Sequence, residues 1–349
     1  MRSTENVSWF GDITLNDRPA VGGKGGSLGE LTRAGIAVPP GFVIRTAAFE
    51  RFLGELEKQD AIRSSVEELH PHELERATQV SEFVRARFEN AAPVDDLRAE
   101  VLWAHAELCG VDLSSPVAVR SSATIEDSDD ASFAGLQDTF LWVTSAQAML
   151  QSVRSCWASL YSVPSITYRR KHKVPEGKVA MAVVVQRMVH ARTAGVMFTR
   201  SPLTGDRSVI TLEAAWGLGS AVVSGEVTPD RFVMGKITGE ISVREISDKP
   251  IQHVPAPAGG VKEIETPEKM RRESSLSDKE LGELRELGRK VERHYGRPQD
   301  IEWAIDHAGH IFLLQSRPET VWAAKDAAPV AKPAENPMLH VMNIFGGRR

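Results

Sequence analysis

Apolar positions recur along this chain with two different periods. Spacings of three and four residues, typical of amphipathic helices, occur at 46–56, 73–90, 95–108 and 145–162. Short apolar runs typical of strands lie between and after them, at 117–120, 179–189 and 195–199. Because helical and extended patterns alternate throughout, we predict an α/β (α+β mixed) fold with two to three lobes around a cleft.

The pattern also predicts how the chain is divided. Residues 1–185 form the N-terminal lobe or lobes, and residues 186–322 form the C-terminal lobe. Within the latter, 208–246 is typical of a small antiparallel sheet and 250–267 of a proline- and glycine-containing connector. Residues 323–349 are rich in Ala, Pro and Lys before an apolar end, so they indicate a linker and tail that docks on a partner or adds a strand to this domain.

A hairpin near the end of the chain carries a distinctive pairing of polar residues. If residues 308–309 form a two-residue turn, Glu302 lies opposite Gln315 and Asp300 lies opposite Arg317. These four side chains then share one face of the hairpin. The other face is apolar and is expected to join the core through Ile301, Trp303, Ile305, Phe312 and Leu314.

The polar face of this hairpin suits a metal–nucleotide site. Glu302 and Gln315 offer a carboxylate and an amide oxygen, which are hard ligands for Mg²⁺, and Arg317 can hold a phosphate with two hydrogen bonds. An exposed hairpin with a surface ion pair explains the same spacing equally well.

A glycine-rich segment, residues 22–26, opens a predicted helix and contains Lys24. Backbone N–H groups, the positive end of the helix dipole and a lysine would meet where an anion could bind. The spacing fits neither the P-loop nor the dinucleotide-binding pattern, since Gly25 stands where a P-loop needs Ser or Thr. The alternative is a flexible turn with a solvated lysine.

Two further segments are candidates for nucleotide contacts. Arg120 ends an apolar strand, so its charge must either face a cleft or pair with Glu126 or Asp127. The segment from Gln186 to Val189 ends another apolar strand, where its backbone could bind an adenine edge while Met188 or Val189 covers the ring. Plain core packing is the competing interpretation of that segment.

Composition excludes some functions. Lys and Arg number 42 against 47 Asp and Glu, giving a net charge of −5, so no basic field indicates nucleic acid or an anionic membrane as a partner. The longest apolar stretch is too short to span a bilayer, and no leader sequence is evident, so we expect a cytoplasmic protein. Cys109 and Cys156 lack metal-ligand spacing and are expected to be reduced core thiols.

Five stretches of the sequence carry a common pattern: Gly22 to Leu31, Val119 to Asp127, Ser132 to Thr139, Gly195 to Pro202 and Gln315 to Pro318. Together they resemble the nucleotide-binding domain of the phosphoenolpyruvate synthase and pyruvate phosphate dikinase family. They occur in the family's order, and the resemblance covers about residues 8–322. Ser220 departs from the pattern, because many members carry Glu there, and Leu136 replaces a frequent Gln.

The resemblance implies an ATP-grasp-like fold that binds ATP and Mg²⁺. It implies phosphate contacts and catalytic roles for Lys24, Arg120 and Arg317, and Mg²⁺ ligation by Glu302 and Gln315. It places Gln186, Met188 and Val189 against adenine. Gly135, Thr139 and Asp300 are likewise expected to contact the nucleotide.

Members of this family split ATP into AMP, phosphate and a phosphorylated histidine on a swivelling domain. No histidine in this sequence lies in a suitable glycine-flanked loop, so a histidine-bearing domain or subunit is expected to act in trans, as in a split system such as phenylphosphate synthase. Three alternatives stay open. The chain could be a stand-alone ATP-grasp ligase that forms an acyl phosphate and releases ADP, a non-catalytic ATP-sensing subunit, or a piece of a longer synthase.

Overall fold

Two antiparallel sheets, each packed against helices, form the framework of the molecule. The computed structural model describes residues 3–92, 94–112, 114–124, 127–128, 131–132, 138–320 and 322. Helices and strands are interspersed throughout these residues, so the predicted mixed α/β fold class is confirmed.

The strands in the described residues are β1 (Val7–Trp9), β2 (Gly41–Ile44), β3 (Val117–Ala123), β4 (Asp127–Ser128), β5 (Ala131–Ser132), β6 (Thr139–Val143), β7 (Met181–Arg187), β8 (Ala191–Phe198), β9 (Val209–Trp216), β10 (Asp230–Gly235), β11 (Ile241–Glu245), β12 (Ile251–Pro255), β13 (Val261–Glu265), β14 (Gln299–Asp306) and β15 (Ile311–Pro318). The α-helices there are α1 (Arg18–Arg33), α2 (Thr46–Glu57), α3 (Ile62–Glu67), α4 (Leu74–Asn90), α5 (Asp95–Cys109), α6 (Ala146–Ser159), α7 (Val163–Lys171), α8 (Ser220–Val223), α9 (Glu268–Arg271) and α10 (Asp278–Tyr295).

The first sheet has the strand order β1–β2–β7–β3–β6, and the second has the order β11–β10–β9–β8–β14–β15. All neighbouring strands in both sheets are antiparallel. The three strands at 208–246 therefore do not form a separate small sheet, because β9 also pairs with β8 and joins them to the hairpin β14–β15. The predicted boundary between 185 and 186 falls inside β7, and the chain passes from the first sheet to the second through residues 188–190.

The prediction of a connector at 250–267 is wrong. Strands β12 and β13 pair antiparallel in this segment and form a two-stranded ribbon. Its side chains stay half-buried or exposed on both faces, so the apolar alternation that marks a strand is weak in the sequence.

Helices α2, α4, α5, α6 and α7 cover the first sheet. Their apolar stripes meet around an aromatic group in which Phe88 packs against Phe49, Phe52 and Tyr161. Both cysteines are free and buried in this region, as predicted. Burial removes their thiols from water and raises the pKa of Cys109 and of Cys156.

The second sheet packs against α10. The helix begins with the predicted capping box, in which Ser277 Oγ accepts from the Glu280 backbone N–H and Glu280 Oε2 accepts from the Ser277 backbone N–H. Its apolar stripe, which includes Leu284, contacts a core that contains the fully buried Trp303. The face of β14 that holds Trp303 is thereby closed to solvent.

Helix α1 lies between the two sheets and joins them. On one side the Gly25 N–H donates to Ser122 Oγ of β3 at 3.1 Å. On the other side Ser27 Oγ donates to the carbonyl oxygen of Ser316 in β15 at 2.6 Å. The glycine-rich start of this helix is therefore fixed to the strand that carries Arg120 and to the strand that carries Gln315.

None of the helices in the described residues has the length and apolar character required to cross a lipid bilayer.

Candidate active site between the sheets

The polar face of the β14–β15 hairpin has the predicted register. Glu302 pairs with Gln315 and Asp300 pairs with Arg317. The predicted two-residue turn is wrong, however. Ile305 pairs with Ile311, and the Asp306 N–H donates to the carbonyl oxygen of His310, so three residues, 307–309, form the tip.

A β-bulge reconciles the longer tip with the predicted register. Gly309 takes a positive φ of 88° at the tip, and the register shifts between Glu302 and Trp303, where Leu314 is the additional residue of β15. The bulge moves the side chains of β15 near the tip to the opposite faces. Leu313 packs beside Trp303 in the core, whereas the predicted core residues Phe312 and Leu314 lie on the other face in a separate apolar cluster.

Arg120 reaches from the first sheet to this hairpin. Its Nη2 donates to Glu302 Oε2 at 3.0 Å and to Gln315 Oε1 at 2.6 Å, and its Nη1 donates to the carbonyl oxygen of Leu314, the bulge residue, at 2.9 Å. The Arg120 side chain is only 10% exposed. The ion pair that Arg120 makes here is therefore with Glu302. Glu126 and the side chain of Asp127, the predicted alternative partners, lie outside the described residues.

Asp300 and Arg317 lie two residue pairs along the hairpin from the Glu302–Gln315 pair. Arg317 Nε is 3.4 Å from Asp300 Oδ2, and half of the Arg317 side chain is exposed. Burial raises the pKa of Asp300 to about 6, although the charge of Arg317 acts in the opposite direction. Its Oδ1 is buried with no hydrogen-bond partner in the described part of the chain.

Lys24 belongs to the first turn of the long part of α1. Gly22 interrupts the helix with φ 70° and ψ 178°, and Ser122 Oγ accepts the N–H of Gly25. The Gly25 N–H belongs to the backbone donors that were predicted to face an anion, and it is already hydrogen-bonded to Ser122. Lys24 is half-buried, and its charge lowers the pKa of Cys156 against the dominant effect of burial.

The predicted adenine segment, residues 186–189, runs along the junction of the two sheets. Gln186 is buried, and its side-chain amide donates to the carbonyl oxygen of Pro39. The Met188 N–H donates to the carbonyl oxygen of Pro116 at 2.9 Å. Met188 and Val189 do lie in an apolar group.

We call this group the cleft cluster. Its members come from both sheets, from the segment between β7 and β8, from the loop between β9 and α8 and from the β12–β13 ribbon. The cluster therefore lies where the sheets meet, and Leu314 connects it to the bulge that Arg120 contacts. Its partly exposed side chains could cover a flat aromatic ring. The buried members are Val189, Ala191, Ala194, Leu218 and Ala304, and the partly buried members are Trp142, Met188, Val261, Phe312 and Leu314.

Of the two remaining residues that were predicted to contact the nucleotide, Thr139 and Gly135, the structure describes only Thr139. Thr139 is exposed on β6 directly opposite Arg120. Gly135 lies outside the described residues.

Comparison with known proteins decides the family. Residues 18–337 match the family model described as pyruvate phosphate dikinase, AMP/ATP-binding domain. The chain belongs to this family. Membership in this family supports ATP as a ligand of the chain.

The curated relatives agree with this assignment. The chain is 40% identical over 321 residues to a probable phosphoenolpyruvate synthase of Methanocaldococcus jannaschii, covering 91% of this chain and 27% of that protein. It is 42% identical over 317 residues to a probable phosphoenolpyruvate synthase of Methanothermobacter thermautotrophicus, covering 90% of this chain and 46% of that protein. It is 41% identical over 364 residues to the phosphoenolpyruvate synthase of Aeropyrum pernix, covering 94% of this chain and 44% of that protein. The chain thus spans less than half the length of these relatives.

Among solved structures, the chain is similar to D-alanyl-alanine synthetase A of Vibrio cholerae, with 10% identity and a TM-score of 0.28, covering 69% of this chain and 55% of that one. It is also similar to an L-amino acid ligase of Bacillus licheniformis, with 12% identity and a TM-score of 0.26, covering 64% of this chain and 42% of that one. At these scores neither likeness carries an argument about this chain.

Sequence patterns did not indicate all residues at the cleft of this dikinase-type domain. Glu213 on β9 lies on the same face of the second sheet as Glu302, with Val196 of β8 between them. Burial raises the pKa of Glu213. Trp142 has an unusual positive φ of 57°, and its carbonyl oxygen accepts from the Gly260 N–H at the tip of the β12–β13 ribbon. Neither feature is visible without the pairing of distant strands.

Proposed function

We propose that this chain binds Mg-ATP between its two sheets and transfers a phosphoryl group to a histidine on a separate swivelling domain or subunit. In the overall reaction ATP, water and the histidine give AMP, phosphate and the phosphohistidine, so the bond between the α- and β-phosphates and the bond between the β- and γ-phosphates of ATP are both broken. The convergence of Glu302 and Gln315 on Arg120 carries this proposal, because it brings an acid, an amide and a cation from both sheets to one point. Membership in the dikinase AMP/ATP-binding family supports the same ligand.

The donor set on the hairpin fits Mg²⁺. Glu302 Oε2 and Gln315 Oε1 lie 3.0 and 2.6 Å from a single nitrogen, Arg120 Nη2, so both oxygens point toward one position. One oxygen is anionic and both are hard donors, as Mg²⁺ prefers, and in this structure a guanidinium nitrogen takes the place of a metal cation. When bound there, Mg²⁺ would supply positive charge to the phosphate oxygens of the nucleotide.

The cations of the site would act on the phosphates. Arg317 keeps half of its side chain exposed beside Asp300, so its guanidinium is accessible to an incoming phosphate. Arg120 would exchange Glu302 for a phosphate oxygen once another cation neutralises that carboxylate. Together with Lys24, these arginines would offset the charge that builds on the transferred phosphoryl group.

The cleft cluster would hold the adenine ring. Met188 and Trp142 are partly exposed, whereas Leu218 and Val189 of the same cluster are buried, so the cluster combines partly exposed and buried apolar side chains. It also excludes water from one side of the proposed site, which strengthens the electrostatic contacts beside it.

The phosphoryl acceptor is proposed to be a histidine on another domain or subunit. The curated relatives are more than twice as long as the region that this chain matches, so each has room for further domains. A split arrangement, in which the acceptor lies on a second protein as in phenylphosphate synthase, is compatible with the site described above.

Product analysis tests the proposal. The chain is incubated with Mg²⁺, ATP labelled at the α-phosphate and a candidate histidine-bearing partner, and the nucleotide products are separated by chromatography. We expect labelled AMP, with production lost in Arg317→Ala. Arg272→Ala is the matched control, because its side chain is 81% exposed and lies outside the site.

Two results would contradict the proposal. Labelled ADP as the final product, formed without a partner, would favour a stand-alone acyl-phosphate-forming ligase. Nucleotide binding with no turnover in the presence of a competent partner would favour an ATP-sensing subunit.

A further inference from the structure

A second group of possible metal ligands lies outside the nucleotide site. His253 on β12, Glu263 on β13 and Glu226 in the loop after α8 each offer one ligand atom, and these atoms lie within 4.8 Å of one another. His253 and Glu263 are direct cross-strand partners in the β12–β13 ribbon. Three separate segments of the chain therefore supply an imidazole and two carboxylates to one position.

The imidazole of His253 is already oriented for this purpose. Its Nδ1 is 2.8 Å from Ser220 Oγ, and its Nε2 is 3.3 Å from Glu226 Oε2. A hydroxyl on Nδ1 fixes the ring and leaves Nε2 facing the carboxylates, which is the usual role of the outer partner of a metal-binding histidine. The His253 side chain is only 12% exposed, so the ring has little freedom to turn away.

The charge of the group also favours a dication. With a neutral imidazole, Glu226 and Glu263 place two negative charges beside one another, and protonation of His253 offsets only one of them. Both carboxylates are accessible to solvent, so an ion can enter without opening the fold. One imidazole with two carboxylates suits Zn²⁺ and similar transition-metal ions better than Mg²⁺, which prefers oxygen ligands alone.

We infer that Glu226, His253 and Glu263 form a binding site for a divalent transition-metal ion. The site is distinct from the proposed Mg²⁺ site at Glu302 and Gln315, and it does not depend on the proposed function.

The position of the site shows what a bound ion would fasten. The carbonyl oxygen of His253 accepts from the Leu218 N–H at 2.9 Å, and the Gly260 N–H at the tip of the same ribbon donates to the carbonyl oxygen of Trp142 at 2.9 Å. Leu218 and Trp142 both belong to the cleft cluster. An ion that ties the ribbon to the loop after α8 would therefore stiffen the support of that cluster.

Calorimetric titration of the metal-free, tag-free protein with ZnCl₂, in the absence of nucleotide, tests the inference. We expect one Zn²⁺ per chain, with binding lost in His253→Ala and weakened in Glu263→Gln. Ser220→Ala should weaken binding by about tenfold, because it removes the group that orients the ring. Glu265→Gln changes the same charge two residues further along β13 and should bind Zn²⁺ like the unmodified chain.

Two additional measurements distinguish this metal site from the nucleotide site and from a simple ion pair. Glu302→Gln should bind Zn²⁺ normally even if it no longer binds Mg-ATP, so the two proposals can fail independently. Hydrogen exchange of residues 251–265 should slow on addition of Zn²⁺ in the unmodified chain and not in His253→Ala. Absence of Zn²⁺ binding, or binding that persists unchanged in both His253→Ala and Glu263→Gln, would overturn the inference and leave an ordinary His253–Glu226 ion pair.

Discussion

At the scale of single residues, the proposed nucleotide site consists of polar groups whose partners are distant in the sequence. Arg120 and Glu302 are 182 positions apart and still make a 3.0 Å contact. The sequence indicated both residues, since one ends an apolar strand and the other faces an amide across a hairpin. It could not indicate that they meet, because the docking of the two sheets determines that contact.

Asp300 allows a prediction at this scale. Burial raises its pKa from an ordinary value near 3.8 to about 6 in the folded chain. A raised carboxyl pKa means that the folded state binds the proton more tightly, so this stabilising effect is complete below pH 3.8 and is lost as the pH rises through 6. Two pKa units correspond to roughly 3 kcal/mol.

Asp300→Asn should therefore gain stability relative to the unmodified chain, by roughly 2 kcal/mol, as the pH rises from 4 to 7. Urea unfolding at several pH values measures this difference. Asp306→Asn on the same strand is the control, because the pKa of Asp306 is lowered and its effect has the opposite sign. A difference for Asp300→Asn that does not change with pH would show that Asp300 does not titrate in this range.

At the scale of elements, the hairpin β14–β15 shows which structural features the sequence pattern predicts and which it does not. The opposition of Glu302 to Gln315 was predicted from an assumed two-residue turn and is confirmed. The turn length and the core face near the tip were predicted incorrectly, because a three-residue tip and a bulge together restore the same register. Turn length and a bulge compensate for one another, so the polar pairs alone could not distinguish the two arrangements.

Ribbon β12–β13 was missed for a different reason. Its residues are half-buried or exposed, and it contains Pro255 and Gly260, which indicate a loop when the sequence is considered alone. The ribbon is held instead by contacts to the distant Trp142 and Leu218. Short-range patterns contain no information about such contacts.

The start of α1 allows a prediction at the element scale. Gly22 has φ 70° and ψ 178°, a conformation that almost only glycine adopts, and a Cβ there would lie 2.1 Å from the carbonyl oxygen of Ser122. Gly22→Ala should lower the free energy of unfolding by at least about 2 kcal/mol. Chemical denaturation of the purified variant measures this change.

Gly54→Ala is the matched control for this substitution. Gly54 lies in α2, is exposed, and has no atom within 4 Å of an added Cβ. Alanine there should raise the free energy of unfolding by about 0.5–1 kcal/mol, because it favours the helix. Equal effects of the two substitutions would contradict the proposed role of Gly22 in the close approach to β3.

At the scale of the whole molecule, two sheets meet along α1 and along the Arg120 contacts. Ser27 and Gly25 fix one helix to a strand of each sheet, and Arg120 connects the same two strands on the side of the polar hairpin. The sequence predicted two to three lobes around a cleft, and it predicted the strands that carry the polar groups. The arrangement of the cleft cluster needed the three-dimensional structure, because its members come from five separate parts of the chain, at 142, 188–194, 218, 261 and 304–314.

Calorimetric titration with ATP in the presence of Mg²⁺ tests the central claim most directly. The unmodified chain should bind Mg-ATP, and Glu302→Gln should bind it at least about tenfold more weakly, a loss of about 1.4 kcal/mol. Glu245→Gln removes an exposed carboxylate on β11 of the same sheet and should bind like the unmodified chain. Equal affinity in Glu302→Gln and the unmodified chain, or no binding by the unmodified chain, would contradict a Mg-ATP site between the sheets.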